Sequence, residues 1–392
     1  MRKICVVTGT RAEYGLLNRL IRKISESTET QLQLIATNMH LSPLYGNTYK
    51  EIEADGFVID KKIPILDDEE ADDSAATTLA SLAKGINGFA KAYNELNPDL
   101  VLLLGDRYEI LAAAIAALIE KRPIAHIGGG NVTEGAYDDA IRHSITKMSA
   151  LHFVSTEIYR KRVIQLGESP EHVFNVGSIG IENILQMPMM SKSELEQSLN
   201  FKVDKKTILV TYHPVTLSEN SVERDIKAFL EALDERKDIR VIFTMPNSDT
   251  GGKFIMQAIE NFVKTHSDRT CAFKSLGFKR YLSAMKYIGA VVGNSSSGIV
   301  EAPSFHIPTL NIGDRQKGRI AAQSVHNCKT DRQSILEGFD YIFSEEFQSV
   351  VAISQNPYEK PEIVNSIFKV ISTYPLDGLI KKHFYDLPIW NA

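Results

Sequence analysis

An α/β fold of two Rossmann-like, doubly wound parallel-sheet domains is predicted for this chain by three observations. Short apolar runs alternate with longer amphipathic or alanine-rich segments, as strands do with crossover helices. Two such series follow one another along the sequence. The length, 392 residues, also exceeds what one ordinary hydrophobic core organises. Ligands of such sheets bind at the carboxyl ends of the strands, and with two sheets the cleft between them is the default site.

The first series opens with a buried strand at residues 4–7. A helix over 14–25 follows, with apolar residues at Leu16, Leu17, Leu20 and Ile24. Residues 33–36 and 100–104 read as strands. The alanine-rich helix 110–119 comes next, its small side chains suited to close packing on a sheet. Strands at 123–127 and 151–154 flank a helical segment at 138–149. The acidic run 67–73, DDEEADD, reads as a solvated loop placing negative charge ahead of the next helix, with a divalent-metal site as the other reading. The second series begins after Gly177. Its strands fall at 207–211, 240–244, 271–274, 290–292 and 309–312, with helices at 221–235 and 253–265. The polar stretch 187–199 connects the halves. Residues 364–373 look helical, and their spacing assigns them to neither half.

Composition narrows the function. Apolar residues make up 43% and charged residues 24%, the balance of a soluble globular chain. A net charge of −5 lacks the basic footprint that nucleic acid requires, yet leaves room for a local pocket that binds one phosphorylated small molecule. Cys5, Cys271 and Cys328 form no CxxC pair, which points to a reducing compartment and to neither a disulfide framework nor a thiolate zinc site. No HExxH or EF-hand spacing occurs, and His143 and His152 read as packing or helix residues, so no metal is expected. The first apolar run is too short for a signal-peptide core, and no stretch reaches the roughly 20 residues of a membrane span. A cytoplasmic protein without nucleic-acid or membrane partners is expected.

Several strand ends carry candidate chemistry. Gly9-Thr10-Arg11-Ala12-Glu13-Tyr14-Gly15 joins the first strand to a helix. It matches neither GxGxxG nor a Walker loop, but such a junction offers backbone N–H groups and a helix dipole to an anion, with Arg11 as a forked cation. An ordinary turn with a surface arginine is the alternative. Gly293-Asn294-Ser295-Ser296-Ser297-Gly298 follows another strand and precedes Glu301. Its small residues admit a phosphate and its hydroxyls can donate to one, unless it is simply a polar loop with a capping serine. Downstream, Arg315, Lys317 and Arg319 lie between Gly313 and Gly318 or just beyond. Gly105-Asp106-Arg107 ends an apolar strand, where an active-site carboxylate is expected. Asp138 and Arg142 share a helical face, as an ion pair or as a carboxylate tuned by an arginine. His213, fixed by Pro214, ends a further strand.

Taken in this order, GTRAEYG, LGDRYE, DDAIRHSITKMS, HPVT, GNSSSG and IGDRQKGR resemble the hydrolysing UDP-N-acetylglucosamine 2-epimerases of sialic acid biosynthesis, in their bacterial capsule or surface branch. The resemblance runs from Gly9 to about Arg319 and continues towards the C-terminus. It implies a glycosyltransferase-B arrangement whose last helix crosses back onto the N-terminal domain. The expected domains are then residues 1–177 with 366–392, on the sugar side, and 178–365, binding UDP. The implied reaction takes UDP-N-acetylglucosamine and water to N-acetylmannosamine and UDP, through elimination of UDP to a 2-acetamidoglucal and rehydration. No cofactor is implied, and a homodimer or homotetramer is. By the same resemblance, Gly9, Arg11, His213, Asn294, Ser295, Ser296 and Gly298 surround the diphosphate and Glu301 binds the ribose. Arg315 lies near the nucleotide or sugar. Asp106, Asp138, Arg142 and His213 carry out proton transfer and sugar contact.

One segment departs from the family pattern. Many members read His-Ile-Glu-Gly-Gly, or carry an acid just after the glycines, whereas this chain has Gly128 and Asn131 at those positions. Either Asp106 and Asp138 transfer the protons, helped by Glu134 or His213, or the substrate differs. A smaller residue at Gly128 would make room for a nucleotide-linked 2,4-diacetamido-trideoxy sugar. A glycosyltransferase, a non-hydrolysing epimerase and a non-catalytic nucleotide-sugar binder remain as rival readings.

Overall fold

The computed structural model describes residues 1–66, 74–133, 137–215, 221–246 and 251–387. The acidic run 67–73 and Glu134 lie outside the described residues.

The chain forms two compact units: Met1–Asn131, Asp138–Asn183 and Lys360–Ala392 in the first, Val132–Tyr137 and Ile184–Glu359 in the second. In chain order the first unit holds β1 (Arg2–Thr8), α1 (Arg11–Glu26), β2 (Thr30–Thr37), α2 (Tyr49–Ala54), β3 (Lys61–Ile63), α3 (Ala75–Leu96) and β4 (Leu100–Leu104). It continues through α4 (Tyr108–Ile119), β5 (Ile124–Ile127), α5 (Asp138–Met148), β6 (Leu151–Val154), α6 (Glu157–Gln165) and β7 (Val173–Asn175). Helix α7 (Ile179–Gln186) spans the boundary. The seven strands run in the order β3-β2-β1-β4-β5-β6-β7, every pair parallel. Strand order reverses between β1 and β4, which opens a crevice at their carboxyl ends.

The second unit contains α8 (Lys192–Leu199), β8 (Thr207–Thr211), α9 (Ser221–Glu235), β9 (Arg240–Thr244), α10 (Gly252–Thr265), β10 (Thr270–Phe273) and α11 (Gly277–Tyr287). After these come β11 (Ala290–Gly293), α12 (Ser296–Val300), β12 (Thr309–Ile312), β13 (Val325–Cys328), α13 (Arg332–Ile342) and α14 (Glu345–Ile353). Its six parallel strands run β10-β9-β8-β11-β12-β13, with the reversal between β8 and β11. Alternate strand residues serve opposite faces, as the pleat demands. Ile208 and Val210 pack with α9, α10 and α13, whereas Leu209 and Val291 pack with α8 and α11.

Helix α15 (Ile363–Thr373) returns to the first unit. Its Val364 N–H donates to the buried Glu182 carboxylate, Lys23 of α1 lies over the Phe368 ring, and Arg2 donates to the Ile371 and Tyr374 carbonyls at 2.7 and 2.8 Å. The units divide at 183/184 and 359/360, with Val132–Tyr137 grouped with the second, and the expected domains were 1–177 with 366–392 and 178–365. The C-terminal segment is also fastened: Lys382 donates to the Ser149 carbonyl at 2.6 Å and pairs with Glu168, which accepts from His152 at 3.0 Å. His152 is thus a hydrogen-bonded core residue. No described helix is long and apolar enough to cross a membrane.

Candidate active site

At the reversal point of the first sheet, β1 runs into α1 through Gly9 and Thr10. The helix starts with a capping box: Thr10 Oγ1 accepts from Glu13 N–H, and the Glu13 carboxylate reaches back. That carboxylate accepts from both Gly9 N–H (2.8 Å) and Thr10 N–H (3.3 Å). The sequence had Gly9 offering a free backbone donor to an anion. In the folded chain Glu13 occupies that donor, and Glu13 is a residue the motif reading passed over. Arg11 forms an ion pair with Glu51 at 2.6 Å, so a bound anion would have to compete with this carboxylate.

One strand further, the turn after β4 presents Asp106. Arg142, on α5 and 1% exposed, meets it through Nε at 2.8 Å and through Nη2. Nη1 donates to Asp139 Oδ1 at 3.0 Å and to the Asn131 carbonyl at 2.9 Å. On its own helix Arg142 thus pairs with Asp139, at the i,i+3 spacing, and the buried Asp138 adds its charge. Burial alone would lower the Arg142 pKa. Asp106 first, then Asp139 and Asp138, outweigh it, and the guanidinium is held above its ordinary value.

The segment that departs from the family pattern forms the floor of this arrangement. Gly128 has φ +101, a backbone region that favours glycine. A Cβ there would find its nearest neighbour at 3.9 Å, the Gly105 nitrogen. Backbone conformation, and not lack of space, is therefore what calls for glycine. Asn131 closes the turn by donating to the Gly128 carbonyl at 2.8 Å. Beneath it, His126 lies at 2.8 Å from the Gly105 carbonyl through Nε2. A carbonyl can only accept, so the neutral ring is fixed as its Nε2–H tautomer. Burial lowers the His126 pKa to about 4, and that of His40, hydrogen-bonded between Thr8 and Thr48, to about 3. An unfolded chain takes up these protons near pH 6.5 while the native chain refuses them. Stability should therefore fall by a few kcal/mol as pH drops from about 6.5 to about 4. Denaturant unfolding at several pH values measures this, and replacing His40 with glutamine should flatten the slope.

In the second unit the reversal point is built around Asn294. Its amide makes a reciprocal pair with the His213 backbone: Oδ1 accepts from His213 N–H at 2.7 Å, and Nδ2 donates to the His213 carbonyl at 2.8 Å. Asn294 therefore holds the ends of β8 and β11 together. Its own carbonyl accepts from Arg315 Nη1 (3.2 Å) and from Gln316 Nε2 (2.8 Å), which anchors the 313–319 turn. Gln316 was not singled out from the sequence, since its neighbours' charges drew the attention.

Gly293, at φ +127, has no room for a side chain: a Cβ would sit 2.2 Å from the Thr211 carbonyl oxygen. Ser295 caps α12 by accepting from Ser297 N–H at 3.4 Å, while the Ser296 hydroxyl has no partner among the described residues. Gly298 serves packing, because a Cβ would meet Thr309 Cγ2 at 2.7 Å. Glu301, partly buried, is pushed up to about 7 by desolvation, against the opposing pull of the Ser297 hydroxyl and Arg319. A cavity of about 1080 Å³ opens beside the 313–319 turn, lined by Asp314, Gln316, Lys317, Arg319 and Lys329 among others. No metal-competent cluster of His, Cys, Asp or Glu occurs among the described residues.

Comparison with known proteins adds independent observations. The family model described as UDP-N-acetylglucosamine 2-epimerase matches residues 22–372. The chain is 43% identical over 387 residues to the GDP/UDP-N,N'-diacetylbacillosamine 2-epimerase (hydrolyzing) of Campylobacter jejuni, covering 98% of this chain and 99% of that protein. It is 42% identical over 390 residues to the polysialic acid biosynthesis protein P7 of Escherichia coli, covering 99% and 98%. Among solved structures, the S. aureus MnaA–UDP co-structure superposes with a TM-score of 0.78 at 20% identity, covering 99% of this chain and 100% of that one. That likeness speaks for the fold.

Proposed function

The chain belongs to the UDP-N-acetylglucosamine 2-epimerase family, and we propose that it acts on UDP-N-acetylglucosamine, releasing N-acetylmannosamine and UDP. At the coarser level it is a hydrolysing nucleotide-sugar 2-epimerase. The observation that carries the mechanistic reading is the buried Arg142 gripping Asp106 at a sheet reversal point.

The C2–H of the sugar has no adjacent carbonyl to acidify it, so departure of the nucleotide must carry much of the barrier. Charge developing on the β-phosphate then needs donors already in place. Arg11, His213, Ser295 and Ser296 are the groups we assign to it, with charge-assisted hydrogen bonds worth roughly 1.5–3 kcal/mol each. Asn294 and Gly298 support those donors through the bonds and packing described, and Arg315 holds its turn to the Asn294 carbonyl. Asp106 and Asp138 are the proton-transfer groups, since reaction at both faces of C2 requires more than one. Arg142 orients Asp106.

Three measurements test this. Incubation with UDP-N-acetylglucosamine in deuterated water, followed by proton NMR, should give free N-acetylmannosamine carrying deuterium at C2 and stoichiometric UDP. UDP-N-acetylmannosamine with background UDP would identify a non-hydrolysing enzyme, and binding without turnover a sensor. Asp106→Asn should lower kcat by about 10²–10⁴-fold, the range of a lost acid–base group, and leave UDP affinity where it was. Glu301 is the carboxylate assigned to the ribose hydroxyls. UDP affinity, measured by calorimetry, should rise as pH increases through about 7, and Glu301→Gln should remove that dependence.

A second reading has a specific observation behind it. The Campylobacter jejuni relative carries N,N'-diacetylbacillosamine in its name, and a Cβ at Gly128 would have nothing nearer than the Gly105 nitrogen at 3.9 Å, so the position has open space. Turnover of the nucleotide-linked 2,4-diacetamido-trideoxy sugar, with none of UDP-N-acetylglucosamine, would establish it.

A further inference from the structure

Two buried carboxylates meet at Gly9, and the proposed chemistry uses neither. Glu13, on α1, accepts from the Gly9 and Thr10 N–H groups. Glu109, in the first turn of α4, is 0% exposed. Its Cγ and Oε1 lie 2.7 Å from the point where a Cβ on Gly9 would stand, so it packs directly on the same turn. Arg107 Nε pairs with Glu109 Oε1 at 2.7 Å, while Glu109 Oε2 is buried with no hydrogen-bond partner. Two acids and one neighbouring guanidinium in a dry site leave one negative charge in excess, which a single retained proton removes.

We propose that Glu13 and Glu109 are a proton-sharing positioning pair that clamps the Gly9–Arg11 turn onto the Asp106–Arg107 turn. The geometry assigns each acid one side of the clamp. Glu13 holds the backbone that leads into Arg11, and Glu109 follows Asp106 by three residues and is tied to Arg107. With the proton present, the repulsion between the two acids is removed, and the turns at the ends of β1 and β4 are held in register. With it gone, like charges in a low-dielectric site push the two turns apart. Among the described residues, the charged or titratable groups around the pair include Arg107, Asp106 and Tyr108 on the β4–α4 turn, Arg11 and Tyr14 on α1, and His40 after β2. None of them supplies a second unshared cation, because Arg11 is paired with Glu51 and the His40 ring is held neutral. Burial first, then Glu109, raises the Glu13 pKa well above the ordinary carboxylate range, in keeping with a retained proton.

The proposal rests on Asp106 as an acting carboxylate for its catalytic consequence, but its physical core can be measured without turnover. A native acid with a raised pKa keeps a proton that the unfolded chain releases. Stability therefore declines as pH rises from the unfolded value through the native one. The experiment follows both the thermal midpoint and kcat, each scaled to its own maximum, from about pH 6 to about pH 9.5 for the wild type, Glu109→Gln and Glu13→Gln. A glutamine amide supplies permanently the N–H that stands in for the shared proton. The expected result is an alkaline fall in both quantities in the wild type, flattened or moved up by at least about one pH unit in the variants. An alkaline fall of the thermal midpoint unchanged in both variants would overturn the proposal. So would its absence in the wild type. If one variant fails to fold, the other decides. If the thermal midpoint behaves as expected while turnover is absent or insensitive, the pair stands and the assignment of Asp106 fails.

Discussion

Arg142→Met should lower turnover by about 10²-fold or more and destabilise the fold by about 3 kcal/mol. The two losses have separate causes. In the native chain a 1% exposed guanidinium serves Asp106, Asp139 and the Asn131 carbonyl together. Methionine fills similar volume but satisfies none of them, so Asp106 and Asp139 both lose a buried guanidinium at the end of a sheet. The stability cost is set at the low end for breaking a buried pair because Asp106 and Asp139 keep 22% and 29% of their side-chain surface in water. The turnover cost arises because Asp106 is no longer held in one orientation. Arg142→Lys gives the discriminating comparison: it restores a charge but cannot span three acceptors, so stability should recover further than kcat. Equal recovery of both would mean that the arginine acts through charge alone.

Gly293→Ala should have the largest effect in the second unit, with a stability loss above about 2 kcal/mol and weakened UDP binding. A methyl group 2.2 Å from the Thr211 carbonyl oxygen cannot be accommodated by rotating a side chain, since the obstacle is backbone. Positive φ adds strain that alanine does not escape. The displacement would travel into Asn294, the reciprocal partner of His213, and so into the 313–319 turn it anchors. Calorimetric titration with UDP and a thermal scan measure the two consequences. If alanine left UDP affinity unchanged, the Asn294 hub would not govern the nucleotide-binding groups.

Much of the fold was legible because parallel strands buried on both faces are largely apolar, as at residues 100–104 and 208–210. A helix was expected after the acidic run, but the extent of α3, 22 residues, was not legible. Its buried positions include Ser81, Gly85 and Ala92, small residues that give little apolar period even though they pack closely. Strand β13, reading Val-His-Asn-Cys, and α13 and α14 were missed likewise; the strand is only partly buried and lies at a sheet edge. At the site, residue type and strand-end position brought out Asp106, Arg142, His213 and the 293–298 turn. What they could not convey is which polar groups consume one another. Glu13 taking the Gly9 donor, Asn294 spending its amide on His213, and Arg142 donating to Asp139 as well as to Asp106 are pairings that nothing in spacing ranks. Gln316 and Glu109 gave no signal at all, since a lone amide and a lone acid in a helix's first turn are ordinary.

The first unit takes in residues from both ends of the chain, with the second unit lying between them in sequence. On a ribosome this orders events. The second unit's residues are all made once residue 359 has emerged, whereas the first unit still lacks the residues through which Arg2 finds the Ile371 carbonyl and Glu168 finds Lys382. During synthesis the half that carries Asp106 and Arg142 is therefore the later to mature, and a short C-terminal truncation would penalise the half encoded first.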